Sequence, residues 1–448
     1  MDTFWNPRTE TLGRRDLERL QAAKLRRTVA WAVARSPFHR RRLADAGVAP
    51  AEVRTVADIT ALPLLTREQW MAEQAEFPPY GRLPAIEPRQ AVRVHTTSGT
   101  SGREPLRALD SRKDWAWAAE MWCYGLWGAG VRPGDTAYVA FGYGSFIGFW
   151  GLHYGLEKIG ALVVPGGAQS TSNRVRQIID FGATVVASTP TYALRLAEEA
   201  RALGVDLPSS TVDKIVLSGE PAGSIPETKR LIEEQWGARA FDTAGMTEVS
   251  TIFMFECAHQ PGGAHIIEDH LLEEVLDPRG DNPVGYGELG ERVVTSFGRS
   301  AVPLLRYRTS DLVIREPGTR CGCGRTFDLY SGGVRGRVDE MKLVRGTNVY
   351  PRAVESIVRG YAEISEFQLR LSREGLRDEI TLRVEVGDWR ADDHRWPPLR
   401  LRLADELARA HEGLRFRVEL CEPATLPRFE LKARRLVDDR PEMVPAHV

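Results

Sequence analysis

Only seven of the 60 basic residues are lysines, and only five of the 448 residues are cysteines. Five thiols are too few to staple a chain of this length, which excludes a disulfide scaffold and leaves metal binding or core packing to account for them. Basic and acidic residues balance, 60 against 61, which argues against bulk nucleic-acid binding. No uninterrupted apolar run approaches the ~20 residues of a membrane span, and the charged N-terminal stretch lacks a signal-peptide core. The expectation is a cytoplasmic protein without membrane or nucleic-acid partners. No Gly-Lys-Ser/Thr occurs, so a Walker phosphate loop is absent. Arginine is the routine cation here, so a lysine can mark a place where a compact ammonium matters.

The length suits roughly two or three domains. The basic stretch "RRDLERLQAAKLRRTVAWAVARSPFHRRR" repeats its apolar positions at helical spacing and reads as a solvated helix face. Between about 137 and 243, the strand-like runs "TAYVAF", "ALVVPGG", "ATVVAST", "KIVLSGEP" and "ARAFDTAG" alternate with helical segments. That rhythm predicts an α/β layer with a largely parallel sheet. After about 264 the pattern turns to strands and turns, and a smaller α+β unit begins near 340. The stretch "FGYGSFIG" (141–148) imitates a dinucleotide fingerprint, but it reads G-x-G-x-x-x-G and lacks the acidic residue about twenty positions on. Its aromatics suggest an apolar pocket wall or core instead.

Five stretches carry chemistry. "VHTTSGTSGREP" (94–105) packs hydroxyls around Gly99 and Gly102 after a strand-like run, which suits a phosphate cradle. "DTAGMTE" (242–248) ends a strand, where α/β sites lie. "YRTSD" (307–311) offers the lone carboxylate Asp311, suited to a ribose diol. "GRVDEMKLVRGTNVYPRAVE" (336–355) joins two units, and "LPRFELKARRLVDD" (426–439) holds Lys432 among arginines. Separately, Cys257, Cys321 and Cys323 with one histidine would complete a closed tetrahedral zinc site. His259 and His265 both follow Cys257 and could supply that imidazole; Cys123 and Cys421 read as core cysteines.

In this order and spacing the five stretches resemble the adenylate-forming superfamily. Within it, the chain is most similar to the phenylacetate–CoA ligase family over nearly its whole length, including "LQAAKLRRTVAWAVARSPFHRRRLADAGV", "PTYALRLAEEA" and "RCGCGRT". The resemblance implies an α/β fold with a large N-terminal adenylate-forming domain (1–338), built of mixed α/β sheets plus a β-rich subdomain. It favours His265, in the G-x-H at 263–265, as the fourth zinc ligand, with His259 the alternative, and the zinc site would staple that subdomain around 257–325. A small mobile α+β lid (339–448) would follow. It also implies two steps: ATP and a carboxylate give an acyl-adenylate and pyrophosphate, and a thiol then displaces AMP.

By the same resemblance, Thr97, Ser98, Gly99, Thr100, Ser101 and Gly102 would hold the β- and γ-phosphates of ATP. Glu248 would coordinate Mg²⁺, a hard cation that takes oxygen ligands, and Thr247 would touch the α-phosphate. Gly219, Glu220 and Pro221 form the adenine-side turn, with Asp242, Thr243 and Ala244 on the strand feeding that wall. Asp311 would bind ribose, and Arg337 would approach the nucleotide. Tyr143, Phe146, Phe149, Ala244, Gly245 and Met246 would line an acyl pocket suited to an aromatic acid such as phenylacetate or a substituted benzoate. Asp339 would be the hinge, Gly346 would line the thiol tunnel, and Lys432 would bridge the substrate carboxylate and the α-phosphate. Three positions depart from the family pattern: Arg103 stands for Lys, Ala244 for an aromatic, and Ser310 for Gly. The acceptor is coenzyme A or, alternatively, a carrier-protein phosphopantetheine, and a homodimer is an open option. A catalytically silent zinc-stabilised scaffold is the reading from another class.

Overall fold

The computed structural model describes residues 3–97, 104–145, 147–259, 262–375, 377–387, 389–390, 392–429 and 433–440. Strands β1 (Ala91–Thr96) and β2 (Arg107–Ser111) pair antiparallel, and the hydroxyl-rich stretch connects them in the chain. β2 runs directly into the helix Arg112–Gly128. Ser111 caps that helix, and the Asp114 carboxylate reaches back to Ser111 N at 2.8 Å in a capping box.

The next strands are β3 (Thr136–Val139), β4 (Leu162–Pro165), β5 (Val185–Ser188), β6 (Lys214–Leu217) and β7 (Arg239–Met246). They pair parallel in the order β4-β3-β5-β6-β7, and helices such as Gly148–Ile159 and Pro190–Ala202 form the crossovers. β5 is the short, fully buried apolar strand that a two-faced parallel layer requires. Strand order reverses at β3, which has β4 on one side and β5 on the other. In open α/β sheets such a switch point marks the crevice where ligands bind, beyond the carboxyl ends of the strands.

β7 changes partners along its length. Residues 239–242 pair parallel with β6, whereas 243–246 pair antiparallel with β8 (Thr251–Glu256). From there the sheet continues through β9 (Gly263–Ile266), β10 (Leu271–Leu276), β11 (Leu289–Ser296), β12 (Tyr307–Glu316), β13 (Leu329–Ser331) and the short β14 (Gly336–Arg337). The order is β7-β8-β9-β13-β12-β11-β10, with β14 also on β12. The expected parallel α/β layer and β-rich part are therefore one continuous sheet, of twelve strands among the described residues.

A separate lobe follows. β15 (Lys342–Val344) and β16 (Thr347–Val349) form a two-residue hairpin with Arg345 at φ 51° and Gly346 at φ 86°, the paired positive angles of a type I′ turn. The helices Pro351–Arg359 and Trp396–Ala410 pack with β17 (Ile364–Glu374), β18 (Arg377–Val386), β19 (Arg417–Leu420) and β20 (Leu436–Asp438). This sheet runs β19-β18-β17-β20, and its buried core draws its members from Val344 to Val418. Among the described residues, no helix is long and apolar enough to cross a membrane.

A buried polar bracket fixes the end of β2 against the turn that follows β7. Arg299, fully buried, donates to the carbonyls of Thr247 (3.1 Å), Glu248 (2.5 Å) and Leu109 (3.2 Å), and pairs with Asp110 at 3.1 Å. Asp110 also accepts from Ser250 Oγ (2.5 Å) and contacts His95 Nδ1 (3.1 Å). Burial alone would raise the Asp110 carboxyl, yet Arg299, His95 and Ser250 together hold it below its ordinary value. Its stabilising share is therefore present above the ordinary carboxylate range and lost on acidification. Arg299→Met should leave Asp110 charged, buried and without its cation, lowering stability by about 3–5 kcal/mol in urea unfolding at neutral pH. A loss below about 1 kcal/mol would remove the bracket from this role.

Candidate functional site

The turn Thr247–Ser250 leaves β7 and doubles back into β8, with Ser250 at φ 74°. Thr247 and Glu248 are buried in it. Opposite lies Arg67, the first residue of the helix Arg67–Glu76, whose Thr66/Gln69 capping box sets its start. One guanidinium nitrogen of Arg67 donates to Glu248 Oε1 at 2.7 Å and the other to Thr97 Oγ1 at 3.0 Å. Tyr307 OH donates to the same Glu248 oxygen at 3.4 Å. Among the described residues both contacts fall on Oε1, leaving Oε2 for a hard cation such as Mg²⁺. Thr97 also closes the loop base: its N–H donates to Leu106 O, and its Oγ1 accepts from Leu106 N, both at 3.1 Å. Ser98, Gly99, Thr100, Ser101 and Gly102 lie outside the described residues, as do Phe146 and Lys432. Arg67 was not singled out from the sequence; the capping box is its only local signal.

Asp311 on β12 faces Arg337 on β14 across the strand pair. Arg337 Nη1 donates to Asp311 Oδ1 at 3.1 Å, while its Nε and Nη2 hold Asp339 at 2.8 and 2.9 Å. The expected ribose ligand and the expected hinge residue thus share one guanidinium. Burial raises the Asp311 carboxyl; Arg337 and Arg292 pull it down, and Glu248 and Asp339 push it up. A carboxylate held at that cost gains from any hydroxyl that donates to it. The neighbouring Ser310 has φ 64°, a left-handed backbone that favours glycine, the residue that the resemblance leads one to expect there.

On the adenine side, Gly219 (φ 96°) makes the tight turn after β6. Glu220 does not point freely into the crevice: Oε1 accepts from Thr191 N at 2.7 Å and Oε2 from Ala433 N at 3.0 Å. Pro221 begins the short 3-10 turn Pro221–Ser224. Asp242 is buried against Gly223 and Gly333, where a Cβ would lie 2.5 and 3.2 Å from its carboxylate oxygens. Burial and the neighbouring Glu256 push its carboxyl well above the ordinary value. Thr243 is buried too, its hydroxyl donating to Leu217 O at 2.9 Å. The accessible end of β7 is Ala244–Gly245–Met246, half-buried, exposed and half-buried in turn. A Cβ at Gly245 would come within 2.7 Å of Thr251 O, so the β-bulge there admits only glycine.

The aromatic segment beyond β3 divides. Tyr143 OH meets His153 Nδ1 at 2.9 Å, and its ring stands edge-on to Trp150 at 4.9 Å. Phe149 stacks on Phe141 inside the main core. Thr96 N–H donates to Ser145 O (3.1 Å) and Thr96 Oγ1 to Ser145 Oγ (2.9 Å), stitching this segment to the start of the hydroxyl-rich loop. Gly346 lies at the tip of the β15–β16 hairpin, with open space around it.

Cys257, His265, Cys321 and Cys323 are all buried, and their ligand atoms lie within 4.8 Å of one another. Cys257 Sγ and Cys321 Sγ are 3.6 Å apart, and Cys323 Sγ is 3.3 Å from His265 Nε2. Zinc–sulfur bonds of about 2.3 Å give tetrahedral edges of about 3.8 Å, so the donors fit a closed structural zinc site. His265 Nδ1 contacts Phe327 O at 3.0 Å, which fixes the tautomer that leaves Nε2 free for metal. His259 is exposed and outside the cluster.

Residues 346–440 match the family model of the AMP-binding enzyme C-terminal domain. The chain is 36% identical, over 98% of its length, to the whole of a "Phenylacetate-coenzyme A ligase" from Thermus thermophilus. It is 32% identical to the protein of the same name from Pseudomonas putida, over 95% of this chain and 94% of that one. Among solved structures, 2-hydroxyisobutyryl-CoA ligase in the postadenylation state with 2-HIB-AMP superposes with a TM-score of 0.92 at 29% identity, covering 98% of this chain and 93% of that one. The same ligase with 2-HIB-AMP and CoA, in the thioesterification state, gives 0.74 at 30% identity and the same coverage. This chain superposes more closely on the former.

Purified protein should carry about one zinc per chain, and Cys321→Ser should lose the metal and lower the thermal midpoint. Fully folded, metal-free wild-type protein would refute the site.

Proposed function

The chain belongs to the phenylacetate–coenzyme A ligase family of AMP-forming acid–thiol ligases, and on that premise we propose that its acid is aromatic and its acceptor free coenzyme A. The reaction class has two displacements. A carboxylate oxygen attacks the α-phosphorus of ATP, forming an acyl–oxygen–phosphorus bond while pyrophosphate leaves. The thiol sulfur then attacks the acyl carbon, forming the thioester, and AMP leaves with the bond electrons. The first step joins two anions, so its barrier falls where fixed positive charge offsets their repulsion.

In this reading the hydroxyl-rich loop from Thr97 to Gly102 holds the β- and γ-phosphates. Arg67 keeps Glu248 beside that loop. Mg²⁺ would be held by Glu248 and would neutralise phosphate charge. Asp311 takes the ribose diol, and the main chain at Gly219 and Pro221 borders adenine. Thr247 meets the α-phosphate, and Lys432 brings a compact ammonium between the carboxylate and the phosphate, which a planar guanidinium fits poorly. Residues from 339 on act as a lid, turning about Asp339 so that Gly346 can line the thiol's path. The zinc site staples the β-rich part.

The observation that carries the aromatic reading is the ring cluster of Tyr143 and Trp150, which follows β3 at the switch point and is joined through Ser145 to the phosphate loop. Flat rings favour a flat acid. A small hydroxy acid is the second reading, supported by the likeness to 2-hydroxyisobutyryl-CoA ligase. Exchange of labelled pyrophosphate into ATP, run over phenylacetate, substituted benzoates, 2-hydroxyisobutyrate and long-chain acids, separates them. Phenylacetate or a benzoate should support exchange at least about tenfold faster than the others, with later AMP release dependent on free coenzyme A. Exchange confined to 2-hydroxyisobutyrate or to long-chain acids would refute the aromatic reading. Product formation only with a carrier protein would refute the acceptor.

A further inference from the structure

Glu220 belongs to a turn expected beside adenine, yet its carboxylate is engaged elsewhere. Both oxygens accept from main-chain N–H groups that come from opposite lobes of the molecule. Thr191 N lies in the first turn of the helix Pro190–Ala202, at 2.7 Å. Ala433 N lies in the C-terminal lobe, at 3.0 Å. Thr189 caps that helix by accepting from Tyr192 N, and Pro190 has no N–H, so Thr191 N is a first-turn donor left for an outside acceptor. An anion there is also favoured by the helix dipole.

The same strip of the small lobe is held a second time. Arg435, nearly buried, binds Glu366 of β17 through Nε (2.7 Å) and Nη2 (3.2 Å), and Glu355 through Nη1 (3.1 Å). Its Nη1 also reaches across to Thr191 Oγ1 at 3.2 Å. Residue 433 is thus tied to the turn at 191 through Glu220 and residue 435 directly, and residue 433 follows Lys432 in the chain.

We propose that Glu220 is a positioning residue for acyl-adenylate formation, seating the segment 433–435 against the large lobe so that Lys432 is presented for the first step and released for the second. The proposal rests on the reading of Lys432 given above. Two features give it physical content. The arrangement that contains the seat matches the postadenylation state of a related ligase at a TM-score of 0.92 and its thioesterification state at only 0.74. The seat is also made of hydrogen bonds, which water can replace when the lobes part, and one oxygen serves each lobe. With its carboxylate so occupied, the turn offers the nucleotide main chain rather than a side chain.

A carboxylate supplies two acceptors, whereas a glutamine supplies one and sets an NH₂ donor against the other N–H. Glu220→Gln should therefore lower the kcat of pyrophosphate exchange with phenylacetate by about tenfold or more while KM for ATP stays within about twofold. Thioester formation from supplied phenylacetyl-adenylate and coenzyme A should be retained. Hydrogen exchange of the 433–435 amides in the ligand-free protein should accelerate about tenfold, with the large-lobe core unchanged. Arg435→Gln, which loosens the same strip from its own side, should give the same pattern and serves where Glu220→Gln is poorly folded. A raised KM for ATP with kcat kept would show that the carboxylate reads the nucleotide. Equal loss in both half-reactions would make it a structural residue. Unchanged exchange at 433–435 would refute the seat even if phenylacetate proved to be the wrong acid.

Discussion

β7 must serve two sheets at once, and the rest of the molecule is arranged around that constraint. Its first four residues pair parallel with β6 and its last four antiparallel with β8. Asp242 lies at the join, buried between the close-packed Gly223 and Gly333. Beyond the join the strand cannot remain covered by the crossover helices of the parallel layer, so Ala244, Gly245 and Met246 come to an open edge. The turn that follows then projects Glu248 towards the hydroxyl-rich loop after β1. Switch point and partner change lie in one sheet, and the contacts of Ser145 with Thr96, and of Arg67 with both Glu248 and Thr97, join the segments that follow β1, β3 and β7.

What holds these parts in register is arginine. Arg67 joins Glu248 to Thr97, Arg299 joins the turn after β7 to the end of β2, and Arg337 joins Asp311 to Asp339. Arg435 joins β17 to the helix start at Thr191. Each fork spans two segments far apart in the chain, which a single ammonium does less well because its three donors share one nitrogen. The bias against lysine in the composition therefore has a structural counterpart. The described contacts between the lobes that bear on the site are polar, and the small lobe keeps its own apolar core. An interface of that kind can open without exposing a hydrophobic surface.

Much of this was legible in the sequence because it is local. The hydroxyl-and-glycine loop, the strand ending in "DTAGMTE" and the alternation of apolar runs each declare themselves within about ten residues. The C-x-C pair likewise marked the cysteines that the fold gathers with His265 into one buried cluster. The resemblance already favoured His265 over His259, and β9 places His265 inside while His259 is exposed. Arg67 was invisible because its partner is 181 residues away. Phe149 looked like pocket lining, yet it stacks in the core, because apolar spacing on a helix does not say which neighbour the face will meet. Glu220 was recognised by its turn, but the direction of its side chain depends on a lobe whose docking no local pattern encodes.

A ligase of this family forms its acyl-adenylate before the thiol is needed. Enzyme, ATP, Mg²⁺ and phenylacetate, mixed without coenzyme A and quenched in acid, should yield phenylacetyl-adenylate bound about one per chain by mass spectrometry, with pyrophosphate released. Adding coenzyme A should consume it and release AMP and the thioester. ADP with an acyl phosphate in its place, or no activated acid until coenzyme A is added, would contradict the account.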